Sequence, residues 1–186
     1  MGAQVPTGGT VITISFGTKA RYLVKEQLVG KNFPNDAIGE TPDVAGSIVL
    51  GPDGAVQPGS SITVKTTTLK SDESRRDNYL RTSSLETARY PEVKTVPKSV
   101  EGLPWPLPAS GQVSFKLTGD MTVHGQTKPV TWDVTADLGA NRATGMATTR
   151  FKFGDFGMSV PRAFIVLSVE DDIRLEIDFV VTVARS

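Results

Sequence analysis

The chain of 186 residues contains no cysteine. Disulfides, thiolate metal sites and a cysteine nucleophile are thereby excluded. There is one histidine, His124, so neither a histidine pair nor a helical H-E-x-x-H motif exists to hold zinc. No G-x-S-x-G elbow presents a serine nucleophile. Basic and acidic residues number 20 each, leaving a formal net charge of zero. That balance predicts no general attraction to nucleic acid or to an anionic membrane. No apolar run approaches the ~20 residues of a membrane span. The N-terminus carries neither a charged n-region nor an apolar h-region, so no signal peptide is read there. Met1-Gly2-Ala3 fits two origins equally: a remnant on a periplasmic or secreted protein whose export signal was removed, or a native cytoplasmic start. Residues 1–9 are expected to be disordered or vector-derived, and residues 10–186 to form a single domain. An apolar fraction of 38% is low for a globular protein, but the length suffices to enclose a core.

What the chain has is alternation. From Val113 to Val123, apolar Val113, Phe115, Leu117, Met121 and Val123 alternate with Ser114, Lys116, Thr118, Asp120 and Thr122. Side chains on a strand point to opposite faces with period two, so this is one long half-buried strand. His124-Gly125-Gln126-Thr127 supplies a turn, and His124 reads as a solvated residue within it. Val130, Trp132, Val134, Ala136 and Leu138 then alternate with Thr131, Asp133, Thr135 and Asp137. The pair makes an antiparallel hairpin with one wet and one apolar face.

The remainder reads as strand after strand. Thr10 to Phe16, Ala20 to Leu28, Val44 to Leu50, Ser61 to Leu69, Ala143 to Phe153, Phe164 to Val169 and Ile173 to Ala184 all show the pattern. Tyr22, Val24 and Glu26 share one face. Gly30 to Asp43 is rich in turn residues and is expected to be a long exposed loop. Pro91 to Val100 is a weaker strand, which Pro97 places at an edge or at a bulge. Three prolines keep Gly102 to Pro108 out of any central strand. Within it Trp105 either packs back on the outside of the barrel or is part of an apolar lip or a partner contact. One helix is predicted over Ser71 to Ser84, capped by Ser71 or Asp72. Its apolar stripe, Tyr79 and Leu80, is narrow, so it should cover one side or opening rather than sit in a thick core. Many closely spaced strands and one helix give an all-β, antiparallel barrel.

Three segments carry a resemblance to a known family. Leu117-Thr118-Gly119-Asp120-Met121-Thr122-Val123-His124-Gly125-Gln126-Thr127-Lys128-Pro129-Val130 is similar to the G-D-L-T-x-x-G-x-T-K-P-V segment of the YceI-like, polyisoprenoid-binding family. Arg76-Asp77-Asn78-Tyr79-Leu80 with Tyr90-Pro91 resembles its R-D-x-x-L … Y-P segment, and Asp155-Phe156-Gly157 its D-F-G segment. The match runs from about Val11 to Arg185. One departure is that Phe153-Gly154 precede Asp155, where relatives often have Asn-Arg. The resemblance implies a lipocalin-like barrel of about eight strands that holds a polyisoprenoid or other long-chain lipid. It implies sequestration or transport, with no cofactor and no catalysis.

The physics is compatible, because barrels of this size either fill with side chains or hold one ligand. Val64, Trp132, Val134, Phe151 and Phe153 are the lining candidates, joined by Phe115, Leu117 and Phe156. Tyr79 and Leu80 would lie over an opening. Small residues such as Gly119, Ala136, Ala143, Gly145 and Ala147 would leave room. Arg76 and Asp77 can anchor the helix to loops and strand ends; alternatively Arg75 or Arg76 meets a phosphate or carboxylate head group. Two other readings stay open: a filled barrel acting as a protein-interaction module, and an enzyme that uses the cavity. A homodimer is compatible with either.

Overall fold

The computed structural model describes residues 3–162 and 166–186. Its ten strand segments are β1 (Thr10–Ile14), β2 (Lys19–Leu28), β3 (Asn35–Thr41), β4 (Val44–Leu50), β5 (Ser61–Lys65), β6 (Glu92–Glu101), β7 (Gly111–Val123), β8 (Gln126–Leu138), β9 (Arg142–Phe151) and β10 (Val166–Arg185). They close into one antiparallel barrel of eight walls, because two walls are each made of two segments. The twenty residues of β10 pair with β2 along one half and with β1 along the other. Likewise β2 pairs with β3, and β1 with β4. Thr18 holds the break between β1 and β2. Its buried hydroxyl donates to the Val180 carbonyl and accepts from the Val180 amide, both at 2.9 Å, replacing a missing ladder pair.

The hairpin of β7 and β8 sets Phe115 opposite Val134 and Leu117 opposite Trp132, with Lys116 and Asp133 outside. The loop is tighter than the sequence suggests. His124 and Gly125 alone turn the chain, at φ 51° and 73°, the signature of a type I′ hairpin. Pro129 falls within β8 but beyond the stretch that β9 covers, so it interrupts no pairing there. Pro97 sits at a register shift in β6, the bulge its ring requires.

Several expectations are corrected. Gly30 to Asp43 is not all loop: Asn35 to Thr41 is β3, with Ala37 and Thr41 buried. Its inward residues are small because Tyr22 of β2 lies across Gly39; a methyl group there would sit 2.2 Å from the ring. Within residues 1–9, expected to be disordered or vector-derived, Pro6 to Gly9 form a turn tied to Ser186, whose hydroxyl donates to the Pro6 carbonyl at 2.8 Å. The helix is short. α1 (Ser74–Tyr79) is capped by Glu73, not Ser71 or Asp72, and runs into a single π-helical turn over Leu80–Ser84. The last two predicted strands merge into β10, with a bulge between Val169 and Ile173; the part of that expectation resting on Phe164 lies outside the described residues. His124 is half-buried rather than solvated, with Nε2 2.5 Å from Glu86 Oε2 and its ring 4.7 Å from that of Tyr90.

Trp105 packs against the loop between β4 and β5. Its indole donates to the Pro52 carbonyl at 2.7 Å and lies against Gly54. No helix among the described residues is long and apolar enough to cross a membrane.

Candidate functional site

The inward faces do not meet across the barrel axis. They enclose two adjoining chambers, of about 370 Å³ and about 130 Å³. Ile62, Thr95, Trp132 and Ile177 belong to the walls of both, so they form the waist between them. Val64, Tyr79, Leu80, Phe151 and Phe153 line the larger, outer chamber. Phe115, Leu117 and Val134 line the smaller, inner one. Leu103 and Leu107 of the proline-rich segment also line the inner chamber.

Phe156 is the exception among the residues placed on the lining by pattern. It is fully buried behind the wall, edge-on to Phe151 at 4.8 Å, and faces neither chamber. The reason is local. Asp155 accepts from the Lys152 amide at 2.8 Å and Gly157 takes a left-handed φ of 67°, so the Asp-Phe-Gly turn drives Phe156 into the core. The small residues divide too. Ala136, Ala143 and Ala147 face the inner chamber. Gly119 does not create space; a methyl there would meet the Val96 carbonyl at 2.6 Å, where β6 and β7 approach closely. Gly145 lies beneath the Phe179 ring, and a methyl there would stand 2.0 Å from the Thr135 carbonyl.

The polar end of the outer chamber is built around Glu26, 6% exposed on the inward face of β2. A buried carboxylate requires a partner, and α1 brings one: Arg76 bonds Glu26 and also Asp72, the latter at 2.7 Å. Burial works against the Arg76 charge, but bonds to Asp72 and Glu26 more than offset it and raise its pKa. Asp77, equally buried, accepts from the Ser71 amide at 3.0 Å and its hydroxyl at 2.6 Å. Both residues therefore anchor the helix. The Arg76 guanidinium is engaged by two carboxylates, an arrangement that favours anchoring over binding a head group. Arg75 is exposed at the edge of the chamber and has no ion-pair partner among the described residues.

Sequence reasoning placed Glu26 beside Tyr22 and Val24 but did not find its partner, fifty residues away. Tyr22 was also missed as a wall residue. Its hydroxyl is buried without a hydrogen-bond partner, and burial pushes its pKa up to about 12. An unfolded tyrosine titrates near pH ~10. Above that pH the unfolded chain loses a proton that the folded one keeps, so stability falls as pH rises from about 10 to 12. The expected loss is about 2–3 kcal/mol. Tyr22→Phe should melt like the parent at pH 7 and remove this part of the alkaline decline in thermal melts. An unchanged alkaline decline would assign it to other groups.

With this geometry in place, the comparisons are decisive for family. The YceI-like domain model matches residues 19–181. The chain belongs to the YceI-like family. UPF0312 proteins of Pseudomonas putida and Pseudomonas fluorescens are 34% and 32% identical to it over 110 and 108 residues. Those segments cover 55% and 54% of this chain and 54% and 53% of the relatives, so the chain spans about half the length of the curated relatives it matches. Burkholderia cenocepacia BcnA shares the fold, with a TM-score of 0.65 at 16% identity over 92% of this chain and 99% of BcnA. A polyisoprenoid binding domain from Saccharophagus degradans gives 0.65 at 10% identity over 95% and 98%. The Campylobacter jejuni YceI protein gives 0.60 at 20% identity over 84% and 90%.

The YceI-like motifs now have structural roles. Arg-Asp ties α1 to β2 and to Ser71. Tyr90 packs on Gly125 of the hairpin turn, where a methyl would come within 2.6 Å of its ring. Asp-Phe-Gly plugs the wall behind Phe151. Asp77, Tyr90 and Phe156 of these segments hold the barrel together, while Tyr79 and Leu80 of the Arg-Asp segment also line the outer chamber.

Proposed function

We propose that this YceI-like protein binds a long apolar chain of the polyisoprenoid class inside the barrel, without chemical change. The observation that carries this reading is the pair of adjoining chambers, whose walls are mostly Val, Leu, Ile, Phe and Trp. Each buried methylene contributes ~0.8 kcal/mol, enough over a long chain to exceed the ~4–15 kcal/mol cost of association. Described residues include no cluster of histidine and carboxylate suited to a metal, and the one buried carboxylate facing the outer chamber is tied to arginine. Sequestration or transport therefore fits the interior better than catalysis. A carrier of such lipids is useful in an aqueous space beside a membrane, and we place its action in the periplasm or outside the cell.

The test begins with solvent extraction of purified protein and mass spectrometry of the extract, then measures uptake of N-phenylnaphthylamine by the stripped protein. Stoichiometric uptake, reversed by a prenyl alcohol, is expected. A stripped, folded protein that takes up neither probe nor prenyl alcohol would overturn the proposal in favour of an interaction module.

A further inference from the structure

The two chambers also limit what can be held, and the charges at the outer one limit how it can end. A cavity of roughly 150 Å³ admits the six carbons of benzene. On that scale the outer 370 Å³ takes on the order of fifteen carbons and the inner 130 Å³ about five. Leu103 and Leu107 lie in the wall of the inner chamber. A chain of more than about twenty carbons exceeds the combined volume of the two chambers, and carbons left in solvent gain little from burial.

Among the described residues, the charged groups of the outer wall are three guanidinium groups and three carboxylates: Arg21, Arg75, Arg76, Glu26, Glu73 and Glu176. Arg21 is bonded to Glu176 at 3.1 Å and to Glu40, and Arg76 to Glu26 and Asp72. Asp72 and Asp77 add negative charge beside Arg76. A diphosphate, with two or more charges, needs several convergent donors; among the described residues of the wall only the Arg75 guanidinium has no ion-pair partner, and it is exposed.

Resting on the carrier reading above, we propose that the occupant is an uncharged-headed chain of about twenty carbons, such as a four-unit prenyl alcohol, rather than a longer prenyl diphosphate. The tail passes the waist at Trp132 and ends in the inner chamber, and the neutral head lies near Arg75 and Tyr79.

The experiment is displacement of N-phenylnaphthylamine from stripped protein by prenyl alcohols of ten, fifteen, twenty, thirty and forty-five carbons, and by the twenty-carbon diphosphate. Affinity should rise by ~tenfold or more per isoprene unit up to twenty carbons, because each unit buries five further carbons, and change little beyond. The diphosphate should bind at least ~tenfold more weakly than its alcohol and tighten with added salt, which screens repulsion by the surrounding carboxylates. Ala147→Phe, in the inner chamber, should move the plateau about one unit shorter. Should that variant not fold, the parent's own length series decides. Affinity still climbing at thirty and forty-five carbons, or a diphosphate that outcompetes the alcohol, overturns this inference and leaves the carrier reading intact. No displacement by any chain would remove both.

Discussion

Trp132→Asp is expected to abolish cooperative folding, while Lys116→Asp, on the neighbouring strand, leaves the melting temperature nearly unchanged. Trp132 is 5% exposed and stands at the waist, opposite Leu117 in the ladder. Truncating a buried aromatic costs about 3–5 kcal/mol. An aspartate there adds a carboxylate with no cation near, a further cost of several kcal/mol. The sum is comparable with the whole stability of a domain, about 5–15 kcal/mol. Lys116 points outward and pairs with Asp133 at 2.6 Å, both side chains largely exposed. Reversing its charge replaces a screened attraction with a screened repulsion, a small effect. Trp132→Phe serves as the control. The indole N–H has no partner, so its removal leaves no acceptor stranded, and the variant should fold. Thermal melts followed by circular dichroism decide the matter. A Lys116 variant more damaged than Trp132→Asp would reverse the faces assigned to this hairpin.

That face assignment was legible because β7 and β8 are half-buried along most of their length, so burial and sequence share the same period of two. The legible signal weakens where the packing partner is distant. β3 carries Ala37, Gly39 and Thr41 inward, residues that read as loop, because the space above Gly39 belongs to the Tyr22 ring. Nothing between Gly30 and Asp43 announces that ring. The helix was overextended for a related reason: Ser71 has cap chemistry, but it spends that chemistry on Asp77, and Glu73 caps instead.

The site divides along the same line. Alternation alone identifies Val64, Phe115, Leu117, Trp132, Val134 and Phe151 as inward residues. It cannot separate a wall from what lies behind a wall, which is why Phe156 was misplaced by a turn of four residues. Nor can it show that Trp132 divides the interior in two, or that Arg76 reaches Glu26 across fifty residues of chain. Both depend on the closure of β10 against β1 and β2 together.

The Glu26–Arg76 pair gives the second large effect, and its size depends on which partner is removed. Arg76→Met is expected to destabilise by about 3–5 kcal/mol, because it leaves Glu26 as an uncompensated charge within the barrel. Glu26→Gln should cost less, since Arg76 keeps Asp72 and its side chain remains partly exposed. The double replacement Glu26→Leu with Arg76→Met removes both charges and puts apolar groups in their place. Exchanges of that kind are often neutral or stabilising, so the double variant should be more stable than Arg76→Met alone. Urea unfolding of the parent, the two single variants Glu26→Leu and Arg76→Met, and the double variant completes a cycle. Additive losses around it would show that the pair is not coupled and that α1 is held by other contacts. The same four proteins also separate anchoring from ligand recognition. If Arg76 only fastens the helix, the double variant takes up N-phenylnaphthylamine and twenty-carbon prenyl alcohol as the parent does. If its guanidinium instead served a ligand head group, binding would fall in the double variant despite its recovered stability.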